Sequence, residues 1–133
     1  MAKALSSAAL KGCRILIVED EPVLAMSLQE QLESKGGRVI GLAPREAKAL
    51  AIVESDQPDI VVLDLNLAGK LPTELANELV ARQIPFVIVT GYGKRQFDAP
   101  ALEEAPRLQK PVDMRELVLT MTTLLRDADQ DRL

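Results

Sequence analysis

The sequence has no histidine, no tryptophan and a single cysteine, and aromatic residues make up 2% of it. Each scarcity removes a class of function. Without histidine there is no Ser–His–Asp triad, no imidazole metal ligand and no histidine pH switch. Cys13 alone can form neither an intramolecular disulfide nor a zinc–thiolate cluster, which fits a reducing compartment; a cytoplasmic location is expected. Phe86, Phe97 and Tyr92 are too few to build base-stacking platforms for single-stranded nucleic acid. Basic charge is also short: the formal net charge is −4 and the pI about 4.9, so the footprint of a nucleic-acid binder is missing. No apolar run approaches the ~20 residues that span a bilayer, so no membrane partner is expected. The opening MAKALSSAALKG carries a single lysine, Lys3, ahead of a serine-interrupted Ala/Leu stretch, a poor signal segment. Residues 1–11 read as a flexible leader or a short extra helix.

What is present is the material for one aliphatic core. The 133 residues suit a single domain, and 47% are apolar. Two kinds of segment alternate. Short aliphatic runs at Ile15–Val18, Val39–Leu42, Ile60–Leu63 and Phe86–Val89 read as strands buried on both faces. Between them lie stretches with helical spacing: Leu24, Leu28 and Leu32, closed by Gly36-Gly37; Ala47, Leu50 and Ala51; Leu75, Leu79 and Val80; and Leu117, Met121, Leu124 and Leu125, opened by Asp113 and Glu116 in capping-box spacing. This alternation predicts an α/β fold, a five-stranded doubly wound parallel sheet with helices on both faces. Between Gly93 and Leu108, Pro100 and Pro106 leave room for only a short, degenerate fourth helix, and Arg107-Leu108-Gln109 makes a weak fifth strand. That stretch is expected to be the mobile part. Residues 12–126 form the domain, and 127–133 a polar tail expected to fray.

Ligands of open parallel sheets bind at the carboxyl ends of the strands. There the sequence sets Glu19-Asp20-Glu21 after the first strand, Asp64 with Asn66 after the third, Thr90-Gly91 after the fourth and Lys110-Pro111 after the fifth. Carboxylates gathered without a cation repel one another and raise their own pKa values. A hard divalent cation such as Mg²⁺ resolves the conflict, because it prefers oxygen ligands and bridges carboxylates to phosphoryl oxygens. An aspartate beside it can attack phosphorus, while a threonine hydroxyl and a lysine ammonium bind the remaining phosphoryl oxygens.

The segments Ile15–Pro22, Val62–Asn66, Val89–Gly91 and Lys110-Pro111 resemble, in order and interval, the receiver domain of two-component response regulators. The resemblance covers residues 12–125. It implies a flavodoxin-like receiver fold and phosphorylation of Asp64 by a histidine kinase or phosphotransfer protein. It also implies Mg²⁺ held by Asp20, Asp64 and the backbone carbonyl of Asn66, with Glu19 acting largely through water. Thr90 and Lys110 would serve the phosphoryl group, and a cis peptide before Pro111 would aim Lys110 inward. The stretch Pro85–Gly93 also resembles, in part, a subgroup nicknamed FAT GUY for its strand-four motif: Thr90 and Gly91 fit and Tyr92 is nearby, while Ile88 and Val89 stand for Phe and Ala. One departure is Arg107, at the position where many receivers carry a switch aromatic. Gly91 would leave the phosphoryl group reachable, and Tyr92 is either a gate over it or a loop aromatic covering the core.

Each of these residues also has a plain reading. The acidic triplet could be a solvated strand end favoured by a helix dipole, Asp64 and Lys110 surface charges, and Thr90 the last β-branched residue of a strand. Cys13 reads as structural; Phe97 and the Leu102 region are either a docking patch or local packing. The joint placement favours a stand-alone receiver that transfers and slowly hydrolyses its own phosphoryl group without acting on other substrates, and that signals through a downstream protein or serves as a phosphate sink. A degenerate receiver that only binds proteins is the alternative. A Mg²⁺-dependent phosphatase would need a second acid where Asn66 stands, and a flavodoxin-like cofactor binder would need a phosphate loop after the first strand.

Overall fold

The computed structural model describes residues 8–67, 69–91 and 99–131. Ten elements follow one another: β1 Arg14–Val18, α1 Pro22–Glu33, β2 Arg38–Ala43, α2 Glu46–Asp56, β3 Ile60–Asp64, α3 Thr73–Ala81, β4 Phe86–Thr90, α4 Pro100–Glu104, β5 Arg107–Gln109 and α5 Met114–Asp131. All strand pairs are parallel, in the order β2-β1-β3-β4-β5. This is the five-stranded doubly wound arrangement read from the sequence. The order reverses between β1 and β3, and a crevice opens there at the strands' carboxyl ends.

Successive side chains of a strand point to opposite faces, and the two cores obey that alternation. Leu16, Val18, Val61, Leu63, Phe86 and Ile88 pack with Ala49, Val53, Leu75, Ala76, Leu79 and Leu102 of α2, α3 and α4. Ile15, Ile17, Ile60, Val62, Val87 and Val89 pack with Ala25, Leu28 and Leu32 of α1 and Leu117, Val118 and Met121 of α5. β3 and β4 are buried throughout, as their unbroken aliphatic runs require.

The helix faces depart from the expected stripes. Leu24 is exposed and Ala25 takes its place in the core. Steps of four residues drift by about 40° around the axis, so an i, i+4, i+8 series leaves the buried face at one end. In α2 the buried residues are Ala49 and Val53, while Ala47 and Ala51 face solvent; alanines carry little apolar area, and the larger Ile52 and Val53 set the face. In α3, Ala76 is buried and Val80 exposed. β2 is an edge strand, and its Val39–Leu42 stretch is half-buried rather than covered on both faces.

The described parts of the leader, from residue 8, and of the tail, to residue 131, depart from the flexible ends expected. Leu10 is buried against the α1 and α5 core, and its N–H donates to the Lys35 carbonyl at 2.8 Å. Gly36 makes that approach possible: its φ is +90°, and a Cβ there would stand 3.1 Å from the Lys11 backbone. α5 continues through Asp131, past the expected boundary at 126. Its start carries the expected aspartate cap, Asp113 Oδ1 accepting the N–H groups of Arg115 at 2.9 Å and Glu116 at 3.4 Å. α4 has five residues and β5 three, in line with the short helix and weak strand expected there. The expected mobility of 93–108 falls partly outside the described residues.

Candidate functional site

The crevice at the β1/β3 switch point is acidic by construction. β1 delivers Glu19, whose N–H donates to the Ala43 carbonyl at 3.0 Å and so ties the β1–α1 loop to the end of β2. β3 delivers Asp64, paired in register with Val89 of β4. Both acids are nearly closed to solvent, Glu19 at 4% and Asp64 at 6% relative exposure, whereas Asp20 is exposed. The carboxylates of Glu19, Asp20 and Asp64 each offer an oxygen within 4.8 Å of the others.

A buried carboxylate needs partners, and Lys110 supplies one from the far side of the sheet. Its Nζ donates to Glu19 Oε1 at 2.9 Å and lies 3.5 Å from Asp64 Oδ1. Its backbone N–H donates to the Thr90 carbonyl at 2.8 Å, which extends the β4–β5 ladder to the site. The Lys110–Pro111 peptide is cis. Glu19 Oε2 accepts the Glu21 N–H at 3.2 Å, and Asp64 Oδ1 accepts the Asn66 N–H at 3.4 Å.

Burial pushes the Glu19 carboxyl above its ordinary value, and the nearby Asp64 charge adds to that; the hydrogen bonds from Lys110 and the Glu21 N–H oppose it without cancelling it. For Lys110, burial acts to lower the pKa, but the Glu19 hydrogen bond and the charges of Asp64 and Glu19 outweigh it and hold the ammonium above its ordinary range. The site therefore keeps a fixed positive charge beside a crowded set of acids. Away from it, burial and then the Asp59 charge push the Cys13 thiol up to about 12, which leaves it protonated and unreactive.

The donor set suits Mg²⁺. It consists of hard oxygens, converges on one small volume, and carries more negative charge than one lysine offsets. Mg²⁺ holds oxygen ligands at about 2.0–2.1 Å and keeps several waters, so a crevice with one exposed and two buried carboxylates meets its needs.

The structure thus brings Glu19, Asp20, Asp64 and Lys110 together. Thr90 is the last residue of β4, 1% exposed. Asn66 is exposed on the loop after β3. Gly91 is exposed, and a Cβ there would meet no described atom within 4 Å. Arg107 lies on β5 with its guanidinium 3.5 Å from Glu103 of α4. Tyr92 and Phe97 lie outside the described residues. Two features escaped the sequence reading. One is the direct Lys110–Glu19 bond, between residues 91 apart. The other is Glu46, whose carboxylate reaches from α2 to the start of α3. Only the surplus of acids hinted at the first, and nothing local signals the second.

A parallel sheet with strand order 2-1-3-4-5 and a carboxylate crevice at its switch point defines a flavodoxin-like α/β domain. Residues 15–122 match the response regulator receiver domain, and the chain belongs to that family. It is 35% identical over 107 residues to the phyllosphere-induced regulator PhyR of Methylorubrum extorquens, covering 78% of this chain and 40% of that protein. Among solved structures, SdrG from Sphingomonas melonis Fr1 is 41% identical with a TM-score of 0.73, covering 88% of this chain and 98% of that one. A CheY-like receiver domain protein from Methanospirillum hungatei JF-1 is 27% identical with a TM-score of 0.78, covering 90% and 98%. The chain spans about half the length, or less, of the first curated relatives it matches. As a receiver it is a phosphorylation-responsive signalling module, of a family that engages histidine kinases or downstream proteins and generally binds Mg²⁺ through an acidic cluster. Among the described residues no helix is long and apolar enough to cross a membrane.

Proposed function

We propose that Asp64 accepts a phosphoryl group from a histidine kinase or phosphotransfer protein and that the resulting acyl phosphate is the signal. The observation that carries this reading is the setting of Asp64: a nearly buried carboxylate at the end of the central strand, 3.5 Å from an ammonium and within reach of two further acids. An Asp64 oxygen attacks phosphorus as the phosphorus–nitrogen bond of the donor phosphohistidine breaks. The electron pair of that bond leaves with the imidazole nitrogen, and one phosphorus–oxygen bond forms. Lys110 exchanges part of its pairing with Glu19 and Asp64 for a phosphoryl oxygen. The Thr90 hydroxyl donates to a second oxygen. Asp20, Asp64 and the Asn66 carbonyl would hold Mg²⁺, with Glu19 acting largely through water. When bound, the ion supplies charge neutralisation for the incoming group.

In this reading the domain catalyses only its own phosphorylation and slow hydrolysis, and passes the state to a cytoplasmic protein partner or acts as a phosphate sink. Gly91 leaves the approach open, and Arg107 stands where the usual aromatic switch would be. Incubation with acetyl phosphate and Mg²⁺, followed by intact mass, tests it. A single phosphoryl adduct is expected, with no turnover of free phosphate monoesters. Monoester turnover without an adduct identifies a phosphatase instead, and neither adduct nor turnover identifies a module that only binds proteins.

A further inference from the structure

The starts of α2 and α3 are joined by one side chain. α3 starts after Pro72, which stands at its N-cap and gives no side-chain cap. The N–H of Leu75, in the first turn, would be left without an intrahelical acceptor. Glu46, the first residue of α2, fills that gap from 29 residues away: its Oε2 accepts the Leu75 N–H at 2.9 Å. Glu46 also lines a cleft with Leu67, Lys70 and Pro72, beside the turn in which Leu67 and Lys70 exchange backbone hydrogen bonds of 3.2 and 3.0 Å. Glu46 therefore bonds the first turn of α3 and borders the turn that precedes it. On its other side it is three residues from Ala43, whose carbonyl accepts the Glu19 N–H.

We infer that Glu46 is a positioning residue: by capping α3 from the start of α2, it sets the β3–α3 loop bearing Asp64 and Asn66 against the β1–α1 loop bearing Glu19 and Asp20. A carboxylate suits the task, since it accepts the amide hydrogen bond and meets the positive end of the α3 dipole. The inference rests on the metal-site reading above and extends it to a residue that touches neither metal nor phosphoryl group. Losing the cap frees the start of α3 and the loop before it, so the acids no longer converge at the right spacing. Metal affinity falls although each proposed ligand is intact.

The test compares wild type with Glu46→Ala, Glu46→Gln and Asn77→Gly by Mg²⁺ titration and by amide exchange at Leu75. Asn77 is exposed in the middle of α3, so a glycine there weakens the helix without touching the cap. Glu46→Ala is expected to lower Mg²⁺ affinity roughly tenfold, as loss of a group orienting metal ligands does, and to speed Leu75 exchange. Glu46→Gln, which keeps an acceptor oxygen, should stay within about twofold of wild type. Asn77→Gly should bind Mg²⁺ as wild type does. Wild-type affinity in Glu46→Ala, or an equal loss in Asn77→Gly, overturns the inference while leaving the metal site standing. Failure of the wild type itself to bind Mg²⁺ overturns both.

Discussion

Glu19 shows how a site can be assembled against the stability of the chain that carries it. Its carboxyl is nearly buried and its pKa is raised, chiefly by that burial. A group whose folded-state pKa lies above its unfolded value contributes stability in full below the unfolded value, and that contribution is lost as pH rises through the folded one. At neutral pH without metal, ionised Glu19 therefore opposes folding. Glu19→Gln should raise the melting temperature at pH 7 in the presence of a chelator, with the gain shrinking as pH falls from the raised folded-state value towards the ordinary glutamate value of 4.5, where it is gone. The same variant should weaken Mg²⁺ binding less than Asp20→Asn does, because Asp20 is the proposed direct ligand while Glu19 is engaged by Lys110 and the Glu21 N–H. Thermal melts across pH, with Mg²⁺ titrations of the two variants, check this; a gain independent of pH, or a larger affinity loss for Glu19→Gln, contradicts it.

At the scale of elements, what could be read from the sequence was what burial writes into it. β3 and β4 are covered on both faces and show as unbroken Val/Ile/Leu runs. The acids and Lys110 were legible as site members because a doubly wound sheet sends strand ends to one edge. The helix faces were less legible. In α1 and α2 the periodicity is blurred by alanines and by apolar residues left on the solvent side, such as Val23 and Met26. The leader's docking was hidden because Leu10 finds its place through a contact with Lys35, 25 positions on, and a positive-φ glycine. The Glu46 cap and the Lys110–Glu19 bond join residues with no common local pattern. The short pair α4 and β5 is the weakest part of the described fold. α4 has a single fully buried anchor, Leu102, and β5 pairs only with β4. Few anchors imply low opening free energies, so the amides of α4 and β5 should exchange well ahead of those of Ile60–Leu63. Native-state hydrogen exchange reads this directly, and equal protection in the two regions contradicts it.

At the scale of the whole molecule, two cores pack on opposite faces of one sheet, and four strands each bring one of the proposed site residues to its carboxyl edge. β3 lies in the middle, flanked by β1 and β4, and at its end Asp64 meets the two other acids and the Lys110 ammonium. Asp64→Asn keeps the shape of the side chain and removes one charge from a crowded cluster, so the variant should fold as well as the wild type. The most direct measurement is intact mass of wild type and Asp64→Asn after parallel incubation with acetyl phosphate and Mg²⁺. The wild type is expected to gain one phosphoryl group, labile as an acyl phosphate is, and the variant none. Equal gain of a phosphoryl group by the folded Asn variant would contradict the assignment of Asp64 as the phosphoacceptor.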